Sequence, residues 1–399
     1  MQPADERLSR LLDRHPELTV VGPQDGRQSV VVRDQLLVSS SAGGTAEESV
    51  RRWLDRREDL PDYDLVRLHL RTGADVDLVD LLANASRGQR PRTASLNHMM
   101  RGEPGYTGGP ATLPAPASAP SAPGTGSGTP AVVAVLDTGI TTTHPWFPAA
   151  SWDPMSDAPV EEELDADGIY GLDAQAGHGT FIAGIIRREA PGATLLVDRL
   201  LSSDGVCSEL QLVRALDRVR QAALRQGLDH IDVLNLSLGT FTANDHPSHH
   251  VSAALRRLGN QTVVVAAAGN NEDDRPFYPA AGDNVVAVGA LAADGSARAH
   301  FSNYGAWVDA CAVGEDVTSS FVTWDGELPA TNDIDPDCFH GFASWSGTSF
   351  ATPAVAGRIA ARASSAGVSA PEALDQLLAS APDVEGLGRH IAAQGVTTS

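Results

Sequence analysis

SWSGTSFATPAVAGRIAARAS, residues 344–364, reads after Gly347 as a helix of small residues, with Ala and Ile recurring at helical spacing. Its opening is crowded with hydroxyls from Ser346 to Thr352 and carries Pro353. Ser and Thr compete for backbone hydrogen bonds and proline lacks the N–H, so neither suits an ordinary helix interior. The stretch makes sense as a hydroxyl, Ser349, mounted at or just before a helix start. There the free N–H groups and the dipole favour developing negative charge, and Gly347 admits a close approach. Pro353, read as near the first turn, gives up its donor at little cost.

The rest of the chain must supply what such a serine needs. The 399 residues predict a unit of roughly 100 and one of about 250 to 280. The net charge is -22, with 29 Arg and no Lys against 51 acids. It is unevenly spread: residues 1–100 hold 14 Arg against 16 acids, which leaves 15 against 35 for the remainder. An acidic surface of this kind argues against nucleic acid and anionic membrane as partners. The start, MQPADERLSRLLDRHPE, has no basic residues followed by an apolar run, and three cysteines are too few for a disulfide scaffold. Both predict a cytoplasmic, reducing compartment, with secretion by another route left open.

Residues 1–101 read as a small α+β domain, with helical spacing over 4–15, 46–58 and 75–86 and strand alternation over 28–40 and 63–72. Residues 102–130, rich in Gly, Pro, Ala and Ser, read as an exposed linker. From 131 to 399 short apolar runs (AVVAVLDT, ATLLVDRLL, IDVLNLSLG, QTVVVAAAGN, NVVAVGAL) alternate with helical stretches such as QLVRALDRVRQAALRQ. That alternation predicts an α/β domain whose mostly parallel sheet is covered on both faces and binds ligands at the strands' C-terminal ends.

Several runs end in polar residues. AVVAVL leads into Asp137, QTVVVAAAG into Asn270, and His178 sits between glycines in GHGTFIAGII. With Ser349 these are the parts of nucleophilic acyl transfer: a hydroxyl, an imidazole to take its proton, a carboxylate to orient the ring, and an amide for the oxyanion.

Four segments, VAVLDTGITTTHP, GHGTFIAG, AAAGN and GTSFATPAVAG, occur in the order Asp, His, Asn, Ser. On these motifs the chain resembles the subtilisin-like serine proteases (subtilases) over about 131–385. The resemblance implies a serine endopeptidase with a peptide or protein substrate and no cofactor required for the chemistry. It also implies that Ser237, Leu238 and Gly239 line one side of a substrate groove, and Gly205, Val206 and Cys207 the other. Ala267, Ala268 and Gly269 lead into the oxyanion asparagine, and Phe277 falls at the pocket floor, where a ring would favour small residues. Phe181, Ala354 and Phe350 depart from the family's usual residues without removing a catalytic atom. Glu272, Asp273 and Asp274 could attract a basic residue or form a solvated loop.

By the same resemblance the first domain would be an intramolecular inhibitor, its tail ASLNHMM lying in the groove and being cut by Ser349 somewhere between about 98 and 130. Met99, Met100 and Tyr106 are candidates for the residue before the cut. The competing expectation is a regulatory or binding protein with a permanent N-terminal domain. Structural calcium is the one ion the resemblance allows, with DADG (165–168) and DIDPD (333–337) as oxygen-rich candidates, although Ala176 stands where an EF-hand loop would end in Glu. Cys311 and Cys338 would be able to bridge only in an oxidising compartment.

Overall fold

The computed structural model describes residues 9, 11–22, 28–74, 93–102, 112–126, 128–166, 171–243, 245–325 and 338–393. Its N-terminal part comprises β1 (Leu18–Val21), β2 (Ser29–Ser39), helix α1 (Gly43–Val50), β3 (Leu54–Leu60), β4 (Leu65–Leu70) and β5 (Ala94–Gly102). The chain continues through β6 (Ala115–Pro116), β7 (Val132–Asp137), β8 (Trp152–Pro154), α2 (His178–Glu189), β9 (Thr194–Arg199), β10 (Val206–Ser208) and α3 (Glu209–Arg225). Next come β11 (Val233–Leu236), β12 (Leu238–Gly239), α4 (His249–Arg256), β13 (Val263–Ala267) and β14 (Val286–Leu291). The last elements are β15 (Ala310–Val313), β16 (Val317–Trp324), β17 (Phe339–Trp345), α5 (Thr348–Ala366), α6 (Ala370–Ser380), β18 (Asp383–Val384) and β19 (Gly388–His390).

The large sheet runs β18-β19-β15-β14-β13-β11-β7-β9-β8, parallel everywhere except in the edge hairpin β18–β19. Successive strand residues face opposite layers, which is why these runs are apolar throughout. Val133, Val135, Val233 and Val265 pack with Ile182 and Ile186 of α2 and Val355 and Ile359 of α5. Ala134, Leu136, Leu234 and Ala266 pack with α3 and α4 through Leu216, Val219 and Val251. Each fully buried Leu or Val contributes about 1.5 to 3 kcal/mol, so these two layers dominate the stability of the domain. Small residues let α5 run through the middle: a Cβ on Gly357 would lie 2.6 Å from Glu189 Cβ of α2.

The second sheet, β10-β5-β2-β4-β3 with β1 on β2 and β12 on β5, joins the two parts of the chain. Leu37, Leu65 and Met100 share a core with Leu136, Leu210 and Leu238. Arg14 bridges Asp173 and Asp204 at 2.8 and 2.7 Å. The helix expected over 46–58 ends at Val50, and Leu54–Leu60 is instead the edge strand β3, paired with β4 across the turn at Pro61–Tyr63. Its mostly exposed side chains give it no apolar alternation, and its pairing defines it. The helix expected over 75–86 lies outside the described residues. Among the described residues no helix is long and apolar enough to cross a membrane.

Candidate active site

The polar strand ends meet at the C-terminal edge of the large sheet. Asp137 closes β7, His178 is the first residue of α2, and Asp137 Oδ1 and His178 Nδ1 are 2.7 Å apart with both side chains fully buried. Asp137 Oδ1 also accepts from Thr138 N at 2.8 Å, which fixes the carboxylate. With Nδ1 committed to Asp137, the neutral imidazole presents Nε2 as its acceptor. That atom is buried and makes no hydrogen bond among the described residues. Trp345 and Phe350 hold the ring, each with its centroid 5.5 Å away, and Phe181 packs on Phe350 with tilted rings 4.6 Å apart. These are two of the residues at which the sequence departs from the family's usual pattern.

Ser349 is the second residue of α5 and fully buried, and its Oγ donates to the Ser237 carbonyl at 3.4 Å. Pro353 lies one turn deeper than the first-turn position expected from the sequence. Its missing N–H would have bonded the carbonyl of Ser349, and the Ser237 hydroxyl takes that place at 2.9 Å.

Asn270, three residues beyond β13, is oriented by Thr348, whose N and Oγ1 donate to Asn270 Oδ1 at 2.8 and 2.9 Å. The amide nitrogen Nδ2 therefore points away from Thr348, buried and without a partner among the described residues. A Cβ on Gly347 would come within 3.3 Å of that nitrogen and crowd it. Asn303 secures the same turn by donating to Ala268 O at 2.8 Å and accepting from Asn271 N at 2.8 Å. Sequence reasoning missed Thr348 and Asn303. The first was legible only as the hydroxyl beside Ser349, and the second is distant in sequence and carries no local signal.

The expected groove edges are β10 with Gly205 before it, and β12 with Ser237 before it. β5 runs between them antiparallel to both: Met99, Met100 and Arg101 pair with Ser208, Cys207 and Val206, while Arg101 and Gly102 pair with Gly239 and Leu238. Met99 and Met100 are buried strand residues paired with β10, upstream of the residue that pairs with Leu238; Tyr106 lies outside the described residues. Cys207 faces the core; burial, with Asp137 nearby, pushes its thiol upward. All three cysteines are free, Cys207 and Cys311 buried and Cys338 exposed.

Phe277 is fully buried between the groove wall and the turn that carries Ala267, Ala268 and Gly269. A Cβ on Gly239 would lie 2.3 Å from one of its ring carbons and a Cβ on Gly269 3.2 Å from another, so the ring fills the space between them. The acidic loop is engaged locally: Glu272 lies 3.8 Å from Arg298, and Asp273 Oδ1 accepts from Arg275 N at 2.9 Å. Among the described residues no group of three or more His, Cys, Asp or Glu side chains is placed to hold a metal ion. DIDPD lies outside them, as do the last two residues of DADG.

A model of the subtilase family matches residues 128–391. The sequence is 33% identical over 262 residues to subtilisin-like protease 2 of Pseudogymnoascus destructans, covering 64% of this chain and 57% of that protein. It is 34% identical over 242 residues to the thermophilic serine proteinase of Bacillus sp. (strain AK1), covering 58% and 52%. The chain thus spans little more than half the length of these curated relatives. Among solved structures, a mutant of the protease domain of PatA superposes with a TM-score of 0.53 at 28% identity, over 68% of this chain and 94% of that one. A cold adapted subtilisin-like serine proteinase shares the fold with a TM-score of 0.51 at 24% identity, over 68% and 91%.

Proposed function

The chain belongs to the subtilase family, and from that premise we propose that it is a serine endopeptidase made as a zymogen. Ser349 attacks the peptide carbonyl, His178 takes its proton and later gives it to the leaving amine, and Asp137 holds the ring. Asn270 Nδ2 and the backbone N–H of Ser349 receive the oxyanion. The observation that carries this reading is the meeting of a 2.7 Å Asp137–His178 bond and an amide fixed by Thr348 with a serine at a helix N-terminus. No cofactor enters these steps, and calcium, where bound, would be structural.

The N-terminal domain is the tethered inhibitor in this reading. β5 occupies the groove as an extended peptide would, adding a strand to both edges. A substrate in the same register would present the residue after the Gly102 position to Ser349. The packed Phe277 ring supports small side chains at that point, and the acidic surface supports neither nucleic acid nor membrane as a partner.

A second reading, a subtilase-fold regulatory or binding protein with a permanent N-terminal domain, draws on one observation. In the sequence Gly102 is followed by Glu103 and Pro104, so a chain that kept the β5 register would offer Ser349 a bond to a proline, which lacks the N–H and has a fixed φ. As for compartment, the three free thiols support the cytoplasm, whereas a relative from Thermus sp. is named an extracellular serine proteinase. Fractionation of expressing cells decides between them.

A fluorophosphonate probe tests the peptidase reading on the full chain. Label is expected on Ser349 once the N-terminal domain is displaced, and none in Ser349→Ala. Intact masses of the two chains report self-cleavage. A wild type that takes no label and cuts no peptide refutes the peptidase.

A further inference from the structure

The helix that carries the candidate base lacks a cap of its own. α2 begins at His178, and its N-cap is Gly177, with φ of 80° and no side chain to receive the first-turn N–H groups. A larger residue does not fit, because a Cβ there would lie 2.5 Å from the Phe321 ring. Two residues from outside the helix do the capping. Thr138 Oγ1 accepts from Gly179 N at 2.8 Å. Glu162 Oε1 accepts from Thr180 N at 2.9 Å and from the Thr180 hydroxyl at 2.8 Å, and Glu162 Oε2 accepts from Gly177 N at 3.3 Å. In the sequence Glu162 is the middle of an acidic run, EEE at 161–163, whose two outer members are exposed. Its carboxylate is instead buried against the first turn of α2.

We infer that Glu162 is a positioning residue for the base: it fixes from outside the turn on which His178 rides, and its charge tunes the pH at which the site works. An anion at a helix N-terminus is favourable, and a side chain anchored there holds the turn's register against β7. The charged groups facing Glu162 are few. Asp137 on β7 acts on it by charge; on the outer side the Glu161 carboxylate accepts from the Thr142 hydroxyl at 2.6 Å, while Arg199 donates to the Glu161 backbone carbonyl and lies 3.9 Å from Glu163. Burial pushes the Glu162 carboxyl up to about 7, against the Thr180 N–H and hydroxyl bonds that favour its charged form. The charge of Asp137 adds to that rise by repelling the Glu162 carboxylate.

The inference rests on the peptidase reading for its kinetic readout only. The decisive measurement follows the low-field proton of the His178–Asp137 hydrogen bond by NMR in the full chain carrying Ser349→Ala, with and without Glu162→Gln. The glutamine oxygen keeps both Thr180 bonds and removes the charge, at the loss of the 3.3 Å acceptor for Gly177 N, which the amide nitrogen cannot replace. The pH at which the signal titrates is expected to fall by roughly half a unit or more. An unmoved titration overturns the inference. In the Ser349 background, the acid limb of kcat/KM should move down with it in Glu162→Gln. Glu162→Ala should lower kcat about tenfold or more at unchanged KM, with the glutamine variant restoring most of the loss. If the alanine variant does not fold, the glutamine titration decides alone. Because that titration needs no turnover, an inactive wild type would refute the peptidase and leave this result standing or falling by itself.

Discussion

The hydroxyl of Ser237 donates to the backbone carbonyl of Ser349 at 2.9 Å, and Asn235 Nδ2 donates to that hydroxyl at 3.0 Å. The carbonyl is free because Pro353, four residues on, has no N–H to offer it. A groove wall is thereby fastened to the backbone of the candidate nucleophile by a bond the helix leaves open.

Ser237→Ala should leave that buried carbonyl unpaired, costing about 1 to 3 kcal/mol and lowering both Tm and kcat/KM. Pro353→Ala supplies an N–H to the same carbonyl. In the double variant the Ser237→Ala penalty should therefore shrink. Thermal melts of the four chains check this, and fully additive losses would show the two sites to be independent.

Phe277→Gly should open the space between Gly239 and Gly269. Loss of the ring costs about 3 to 5 kcal/mol of stability. Preference at the residue before the cut should move from small to large apolar side chains, read from the cleavage of a peptide library. An unchanged preference would mean that the ring is not the floor.

If self-cleavage follows the β5 register, Pro104→Ala should speed it, because the bond after Glu103 then no longer involves a proline. Intact mass against time, with Ser349→Ala as the blank, measures it. No acceleration would favour processing elsewhere or a permanent domain.

The contact between β5 and α3 should weaken in acid. Glu209 is completely buried at the start of α3, where it meets His98 at 3.1 Å and accepts from Ser95 at 2.9 Å and from Ser248. Burial opposes its charge, but the His98 bond, with the charges of His98 and His250 and the Ser248 bond, outweighs it and holds the carboxyl below its usual range. A depressed carboxyl adds stability above its unfolded pKa of about 4.3 and loses it as the pH falls through the folded value. Melts of the Ser349→Ala chain should therefore show falling stability below that range. His98→Leu, which leaves Glu209 buried without its main partner, should cost about 3 to 5 kcal/mol at neutral pH. A variant as stable as the parent would refute the pair's role.

Four motif segments made the centre of the site legible, because Asp137, His178, Asn270 and Ser349 each sit at a strand end or helix start written into a few neighbouring residues. What supports them was not legible. Ser237 bonds Ser349 across 112 residues, Asn303 bonds Ala268 across 35, and Glu162 caps α2 from 18 residues away. Such contacts follow from which strands lie side by side, and no local period encodes them. The same reason hid β3, whose exposed edge residues acquire meaning only against β4, and it set Pro353 a turn too early, since its compensating partner lies on another strand.

The groove occupant and the far side of the site belong to one chain. Gly102 ends the strand between β10 and β12, and ten residues on the Thr112 carbonyl accepts from Trp345 Nε1 at 2.6 Å, with β6 paired to β17 beyond it. A short tether of this kind holds its occupant at an effective concentration on the order of millimolar, which a free peptide must outcompete. In the proposed zymogen, one cut within it would change the molecularity of the inhibition. Occupancy would then depend on the amount of protein present, and dilution alone would switch the site on.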